Sequence, residues 1–538
     1  MPDAIVIGAG PNGLVAANLL LDAGWSVEVF EAQPEPGGAV RSDRGVHPDY
    51  VSDLFSAFYP LAAASPVIAS LGLDREGLAW SHAPRVLAHP AADGRCAVLD
   101  RLPHDTAAAL DASAPGDGDA WRDLCGLWDR IGPDVVRCLF TPFPPVVPAA
   151  RLLDGVRRAG GLATVRRLLL PVRRLAEEQF RAEPGGLLLA GNALHADLPP
   201  EAAGSGGYGW LMSMLAQHHG FPVPAGGAGA LTAALVRRLE RGGGVVRCGT
   251  PVAEVVVRAG RAVGVRTGAG ERVPARRAVL ADVSAPALYG SLVGEEHLPG
   301  SLLKDLRRFQ WDFATFKVDW ALDGPVPWTA RQAATAGTVH LADGMDGLTA
   351  YAARLATGLV PEDPFLVLGQ MTVADPTRSP AGTESAWAYT HLPQRIKGDA
   401  GGQGLTGRWD RGESEAMADR MEEVVERYAP GFRARVLRRR VLAPPAMEAL
   451  DANLRGGALN GGTAALHQQL VFRPVPGNGR PETPVKGLFL ASASAHPGGG
   501  VHGAPGANAA RAALRRHLPT VLTVRRRRLP RSLPGARP

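Results

Sequence analysis

Apolar positions along this chain change rhythm several times. Ala4-Ile5-Val6-Ile7 is a short unbroken apolar run, the pattern of a strand covered on both faces. Residues 14–23 then take a helical spacing, and Ser26-Val27-Glu28-Val29-Phe30 alternates with a period of two. The same mixture returns later. The pattern predicts a helix over 230–241 closed by Gly242-Gly243-Gly244, a strand at 245–248, alternating runs at 252–257 and 261–267 joined by a glycine turn, and a buried strand at 278–282. It returns once more as Leu488-Phe489-Leu490-Ala491 followed by a helix over 505–518. Between these blocks, residues 61–225 read as helical with proline-rich breaks. Residues 291–480 read as strand-rich, with strands at 313–322 and 365–373 and an amphipathic helix over 413–428 ended by Pro430-Gly431.

The first strand runs directly into Gly8-Ala9-Gly10-Pro11-Asn12-Gly13, and the second ends on Glu31. Strand, G-x-G-x-x-G, helix, strand and acid form the dinucleotide-binding fingerprint in its proper context. Gly8 allows the tight turn, Gly10 lets the backbone approach a pyrophosphate, and Gly13 lets helix and strand pack closely. The helix start, at Pro11 and Asn12, offers unpaired N–H groups and a positive dipole end to phosphates. Glu31 stands where a carboxylate accepts hydrogen bonds from both ribose hydroxyls and repels a 2′-phosphate. Ala32 follows it. A second fingerprint of this kind is absent from the sequence. That disfavours a glutathione-reductase-type use of NADPH and leaves oxygen or a quinone as the expected electron acceptor.

The next residues carry a resemblance. Pro36-Gly37-Gly38-Ala39-Val40-Arg41, Leu470-Val471-Phe472-Arg473-Pro474 and His496-Pro497-Gly498-Gly499-Gly500-Val501-His502-Gly503 resemble the FAD-dependent phytoene desaturase and amine oxidase superfamily. Within it they are most similar to the bacterial relatives of pyridine nucleotide-disulfide oxidoreductase domain-containing protein 2. The resemblance implies an α/β fold: a Rossmann-like FAD-binding domain of the glutathione reductase/amine oxidase type, interleaved with an α+β substrate domain. On that plan 1–60, 226–290 and 481–518 build the FAD-binding domain. Segments 61–225 (helical) and 291–480 (strand-rich) build the substrate domain. Noncovalent FAD is the implied cofactor. Gly37, Gly38, Ala39 and Arg41 would run beneath the flavin, although the family usually has Arg where this chain has Ala39. Backbone near Val252 would meet the adenine, and Ser492, Gly500 and Val501 the ribityl chain and pyrimidine end. His496 and His502 are the candidates beside the ring, either as catalytic groups or only as fasteners of the glycine loop.

The implied activity is a desaturase- or dehydrogenase-type oxidoreductase acting on a lipophilic, isoprenoid or polyene substrate. Redox-neutral polyene isomerisation, amine oxidation and a non-catalytic FAD scaffold are the alternatives.

Composition narrows this only a little. Hydrophobic content of 46% with 20% charged residues fits a globular protein. Cys96, Cys125, Cys138 and Cys248 show neither a C-x-x-C pair nor metal-ligand spacing. They predict free thiols, no metal site and no cysteinyl-flavin link. The net charge of +6 belongs to residues 519–538, which hold six Arg and no acid; the remainder has 52 basic and 52 acidic residues. That Pro/Arg end is expected to be a disordered tail, with anionic lipid as its alternative partner. Nucleic-acid binding is not expected. The pairs Arg157-Arg158, Arg166-Arg167 and Arg173-Arg174 punctuate apolar residues, which suits either helices lying on a membrane surface or ordinary surface helices; the second is preferred. A strand starting at Ala4 predicts a chain without a leader, hence a cytoplasmic location with peripheral membrane contact as the alternative. Oligomeric state has no signal in the sequence.

Overall fold

The structure, a computed structural model, describes residues 1–517; the expected tail and Leu518 lie outside the described residues. Five strands far apart in sequence form one parallel sheet, in the order Leu488–Leu490, Ala278–Ala281, Ala4–Ile7, Val27–Phe30, Val245–Arg247. Ala4–Ile7 sits centrally, with Ala4 opposite both Ala278 and Val27. Its unbroken apolar run follows from this position. Ala4 and Val6 pack under the helices Pro11–Asp22, Gly229–Arg241 and Ala504–His517. Ile5 and Ile7 pack on the other face, against the meander that carries Val255, Val265 and Val273 and against Leu288 and Leu302.

The second sheet has seven strands, in the order Val436–Leu442, Ala314–Leu322, Glu384–Leu392, Leu366–Gln370, Ala336–Leu341, Arg85–Pro90, Cys96–Leu99. Neighbours are antiparallel except Ala336–Leu341 with Arg85–Pro90. Along the inner strands, alternate residues point to opposite sides. Leu366, Leu368, Phe316 and Val318 meet Met417, Met421 and Val425 of the helix Arg411–Tyr428. Val367 and Trp387 face the helices Asp117–Phe140, Glu183–Leu194 and Ser205–His219.

Three details depart from the sequence expectation. The 61–225 segment is not wholly helical, because Arg85–Pro90 and Cys96–Leu99 complete the second sheet. These strands are short and almost wholly buried, so they lack the alternation that marks a half-exposed strand. The expected division at residue 60 also runs through a core: Tyr59, Ala62, Ile68, Leu71 and Leu78 pack with the parallel-sheet helices. The strand expected over 365–373 stops at Gln370 and becomes the short helix Met371–Ala374.

A buried ion cluster ties the two sheets. Asp53 accepts a 2.8 Å bond from the Ala228 N–H, at the start of Gly229–Arg241, and a 2.9 Å bond from Arg378. Arg378 also donates to Asp375 at 2.9 Å, and Asp375 accepts from the Gly226 N–H at 2.8 Å. The Arg378 and Asp53 side chains are fully buried. The Gly226-Gly227-Ala228-Gly229 run is thus held by two carboxylates sharing one guanidinium. Asp53 holds the start of this helix while its neighbours Phe55, Ala57 and Phe58 reach a cavity.

Candidate active site

A cavity of about 610 Å³ opens at the carboxyl ends of the parallel strands and extends to the second sheet. Ile7, Phe30 and Asp282, which end or follow three of those strands, line it, the position where open parallel sheets bind ligands. Gly8, Gly10, Pro11, Asn12, Glu31, Ala32, Gly38 and Ala39 line this end, together with Val252, Ser492, Gly500 and Val501. Gly13, Gly37 and Arg41 do not line it. Gly13 serves packing: a Cβ there would lie 2.2 Å from the Gly8 carbonyl oxygen. Gly37 donates its N–H to the Ala9 carbonyl. Arg41, expected beneath the flavin, instead spends its guanidinium on the Gly38 and Leu450 carbonyls at 2.9 and 2.8 Å.

These residues fit a dinucleotide. Gly10 precedes the helix Pro11–Asp22 in extended backbone and supplies no side-chain cap, leaving the helix start open to an anion. A Cβ on Gly38 would lie 3.2 Å from the Gly10 Cα, so two bare glycine backbones face each other across the cradle. The buried Asn12 Oδ1 has no partner among the described residues. Glu31 is fixed by the Ala9 N–H on one oxygen, at 2.7 Å, and the Gln33 N–H on the other, at 2.9 Å. Each oxygen keeps a lone pair for a ribose hydroxyl.

The two candidate histidines separate. His502 lines the cavity, but its Nε2 lies 3.2 Å from the Gly499 carbonyl and its Nδ1 accepts the Ala504 N–H at 3.1 Å. Burial pushes its pKa down to about 4. A neutral ring with both nitrogens engaged fastens the glycine loop to the last helix. His496 is buried outside the cavity wall, edge-on to Phe143 at 6.1 Å. Of the two, only His502 belongs to the cavity wall.

The structure adds residues to which the sequence assigned no part in the site. Lys317 and Thr315 alternate with Phe316 and Val318 and so face the cavity. The Lys317 ammonium is buried, pairs with Asp319, donates to the Asp53 carbonyl at 2.9 Å and lies 5.7 Å from the Trp387 ring centre. Burial lowers its pKa. Trp387 stacks on Tyr389 with centroids 6.0 Å apart. His195 lines the cavity with its Nε2 2.6 Å from that of His340. Arg473 is wholly buried and donates to the carbonyls of Asn460, Gly462, Thr463 and Ala493. It clamps two loops at the cavity edge, which gives the Leu470–Pro474 motif a physical role.

Asp282 is the titratable group of the cradle. Its Oδ2 accepts the Gly13 N–H at 2.7 Å and would lie 2.8 Å from a Cβ on Gly10. Burial, assisted by Asp451 and Glu31, raises its pKa to about 8. Below pH 8 the carboxyl is neutral and tolerates a pyrophosphate; above it an anion stands beside the phosphates. FAD affinity should therefore fall as pH rises through 8, by a factor approaching about ten per pH unit if only the protonated form binds. Flavin titrations from pH 6.5 to 9.5 check this, and Asp282→Asn should flatten the dependence.

A family model described as flavin containing amine oxidoreductase matches residues 12–309. The mouse protein named pyridine nucleotide-disulfide oxidoreductase domain-containing protein 2 is 30% identical, over 95% of this chain and 93% of its own. A phytoene desaturase (neurosporene-forming) from Cereibacter sphaeroides is 25% identical, over 94% and 92%. Among solved structures, an oxidoreductase from Methanosarcina mazei superposes with a TM-score of 0.61 at 16% identity, over 95% of this chain and 99% of that one. The similarity expected from the Gly37-Gly38 and His496–Gly503 segments is thus present, and the relative reported from that branch is mammalian.

Proposed function

The chain belongs to the flavin containing amine oxidoreductases and is an FAD-dependent oxidoreductase; from that premise we propose that it removes hydride from a lipophilic substrate of isoprenoid or polyene type. The observation that carries this is the chemistry of the cavity beyond the cradle. Phe58, Leu211, Met212, Phe221, Trp387 and Tyr389 line it there. The lining carboxylates, Glu31, Asp282 and Asp451, are gathered around the glycine cradle: Glu31 accepts from Ala9, while Asp282 and Asp451 would meet a Cβ on Gly10 and Gly38. An ammonium substrate would find Lys317 and Arg473 but no carboxylate among the described residues of that half. A neutral hydrocarbon would find aromatic and aliphatic walls. The relative named phytoene desaturase supports the same substrate class.

Bound FAD supplies an isoalloxazine that accepts hydride. The chain's residues hold, orient and dry the site. Trp387, Tyr389 and Phe58 give flat apolar surface for an extended substrate and exclude water. The helix Ala504–His517 begins just after the lining loop 499–502, so its positive end favours negative charge developing on that side. Lys317, held by Asp319 and the Asp53 carbonyl, is a fixed donor in the cavity wall. Oxygen or a quinone would reoxidise the flavin.

Anaerobic addition of a panel of monoterpenes, longer isoprenoid polyenes and primary amines tests the proposal. Bleaching of the flavin by an isoprenoid, and by none of the amines, is the expected outcome. Bleaching by amines alone would assign the amine oxidase activity instead. Isomerised polyene without bleaching would mark redox-neutral chemistry, and intact yellow protein with every ligand would leave only a scaffold.

A further inference from the structure

One face of the molecule exposes more apolar side chains than a dissolved surface needs. On the helices Val146–Arg158 and Leu162–Leu169, Val146, Val147, Leu153 and Leu162 point outward, with Leu153 69% and Leu162 87% exposed. Leu466, Leu470 and Phe472 are also exposed. The two groups are neighbours. Gly204 bonds the Leu169 carbonyl through its N–H, and a Cβ on it would lie 3.1 Å from Leu466. Gly479 stands between the Leu470 carbonyl and Phe143, three residues before Val146. Clustered exposed apolar residues of this kind mark an interaction surface.

Its charge says what the surface meets. Residues 146–170 contain five Arg and one Asp. Arg157 and Arg158 share that single Asp154, while Arg151 and Arg167 have no acidic partner within 4 Å among the described residues. Apolar side chains rimmed by cations match acyl chains beneath anionic headgroups. A symmetric contact with a second copy would set this arginine rim against itself.

The face is also close to the cavity. In the segment 464–473, Ala464, Gln469 and Arg473 line the cavity while Leu466, Leu470 and Phe472 face out. Leu162–Leu169 packs on Ser205–His219, whose Tyr208, Leu211 and Met212 line the cavity from the other side.

We propose that this face docks onto an anionic lipid bilayer, with Leu153 and Leu162 inserted below the headgroups and the arginines at their level, so that the cavity wall formed by 464–473 lies against the membrane. Docking follows from the surface alone and does not depend on the substrate reading; a route for substrate from lipid into the cavity rests on that reading.

The test is sedimentation of full-length holoenzyme with vesicles that mix phosphatidylglycerol and phosphatidylcholine. Wild type should pellet, and a Leu153→Asp, Leu162→Asp protein should bind at least about tenfold more weakly. Its flavin content and melting temperature should be unchanged, because both side chains are exposed. As a second readout, Leu162→Trp should gain fluorescence that acyl-chain-brominated lipid quenches. The proposal is overturned if wild type stays in solution, if the double variant pellets as wild type does (attachment then lies elsewhere, as in the arginine-rich 519–538), or if the substitutions abolish a dimer and no lipid binding is found. Failure of isoprenoids to bleach the flavin would leave these outcomes unaffected.

Discussion

Gly10→Val should give a folded protein that retains less than about a tenth of the wild-type flavin. Gly10 has φ −68° and ψ 173°, extended backbone that valine adopts without strain. The cost is in space. A Cβ there lies 2.8 Å from Asp282 Oδ2, on the glycine turn that a pyrophosphate must approach. The Asp282 side chain can swing aside; the phosphate has nowhere else to meet the start of Pro11–Asp22. The ratio of flavin to protein absorbance after gel filtration measures the loss, and circular dichroism confirms the fold. Normal flavin content would refute the assignment of this loop. Gly13→Val should behave differently: its Cβ meets the Gly8 carbonyl at 2.2 Å, so the strand–turn–helix unit itself should fail.

Arg378→Met is expected to cost about 3–5 kcal/mol of stability. Methionine fills much of the volume, but Asp53 and Asp375 then stand buried without their shared cation. These carboxylates also hold the Ala228 and Gly226 N–H groups, so the start of Gly229–Arg241 should loosen and flavin affinity fall with it. Urea unfolding followed by far-ultraviolet circular dichroism gives the cost. Asp53→Asn with Arg378→Met removes one stranded charge and should recover part of it; no recovery would show that the guanidinium acts by packing alone. This cluster outranks the surface ion pairs, such as Arg95–Asp93, whose side chains are largely exposed and whose removal should be near neutral.

The nucleotide half was legible because its signals are local. Ala4–Ile7, the glycine turn and Glu31 lie within thirty residues, and each states its own geometry. The cavity's other wall is assembled from distant stretches, and its residues look ordinary in sequence. Lys317 and Asp319 alternate with apolar residues in a strand that reads as half-exposed. They are in fact buried against each other, 2% and 1% exposed, because the short strand Ser52–Asp53, paired only with Ser42–Asp43, brings the Asp53 carbonyl onto the ammonium. Asp282 ends a buried strand, and an acid there could have been suspected at the carboxyl edge of a parallel sheet. Arg473 had a signal, the motif around it, but no local feature revealed that four carbonyls wait for it. The strands at 85–99 were hidden for the opposite reason: they are buried too thoroughly to alternate.

The parallel sheet draws its strands from residues near 4, 27, 245, 278 and 488. During synthesis, Ala4–Ile7 and Val27–Phe30 emerge first, but Ala278–Ala281, which covers the free edge of Ala4–Ile7, follows some 250 residues later. The helix Ala504–His517, which lies on Pro11–Asp22, comes last among the described residues. A Cβ on Gly506 would fall 1.9 Å from the Asn12 carbonyl, so this late helix seats directly on the first. Such a chain cannot secure one domain while the next is being made. Its opening strands must wait, exposed to chaperones and to misfolding, until the last tenth of the polypeptide arrives. Stable flavin capture would then report a translated and closed molecule, and chains interrupted before residue 488 should carry none.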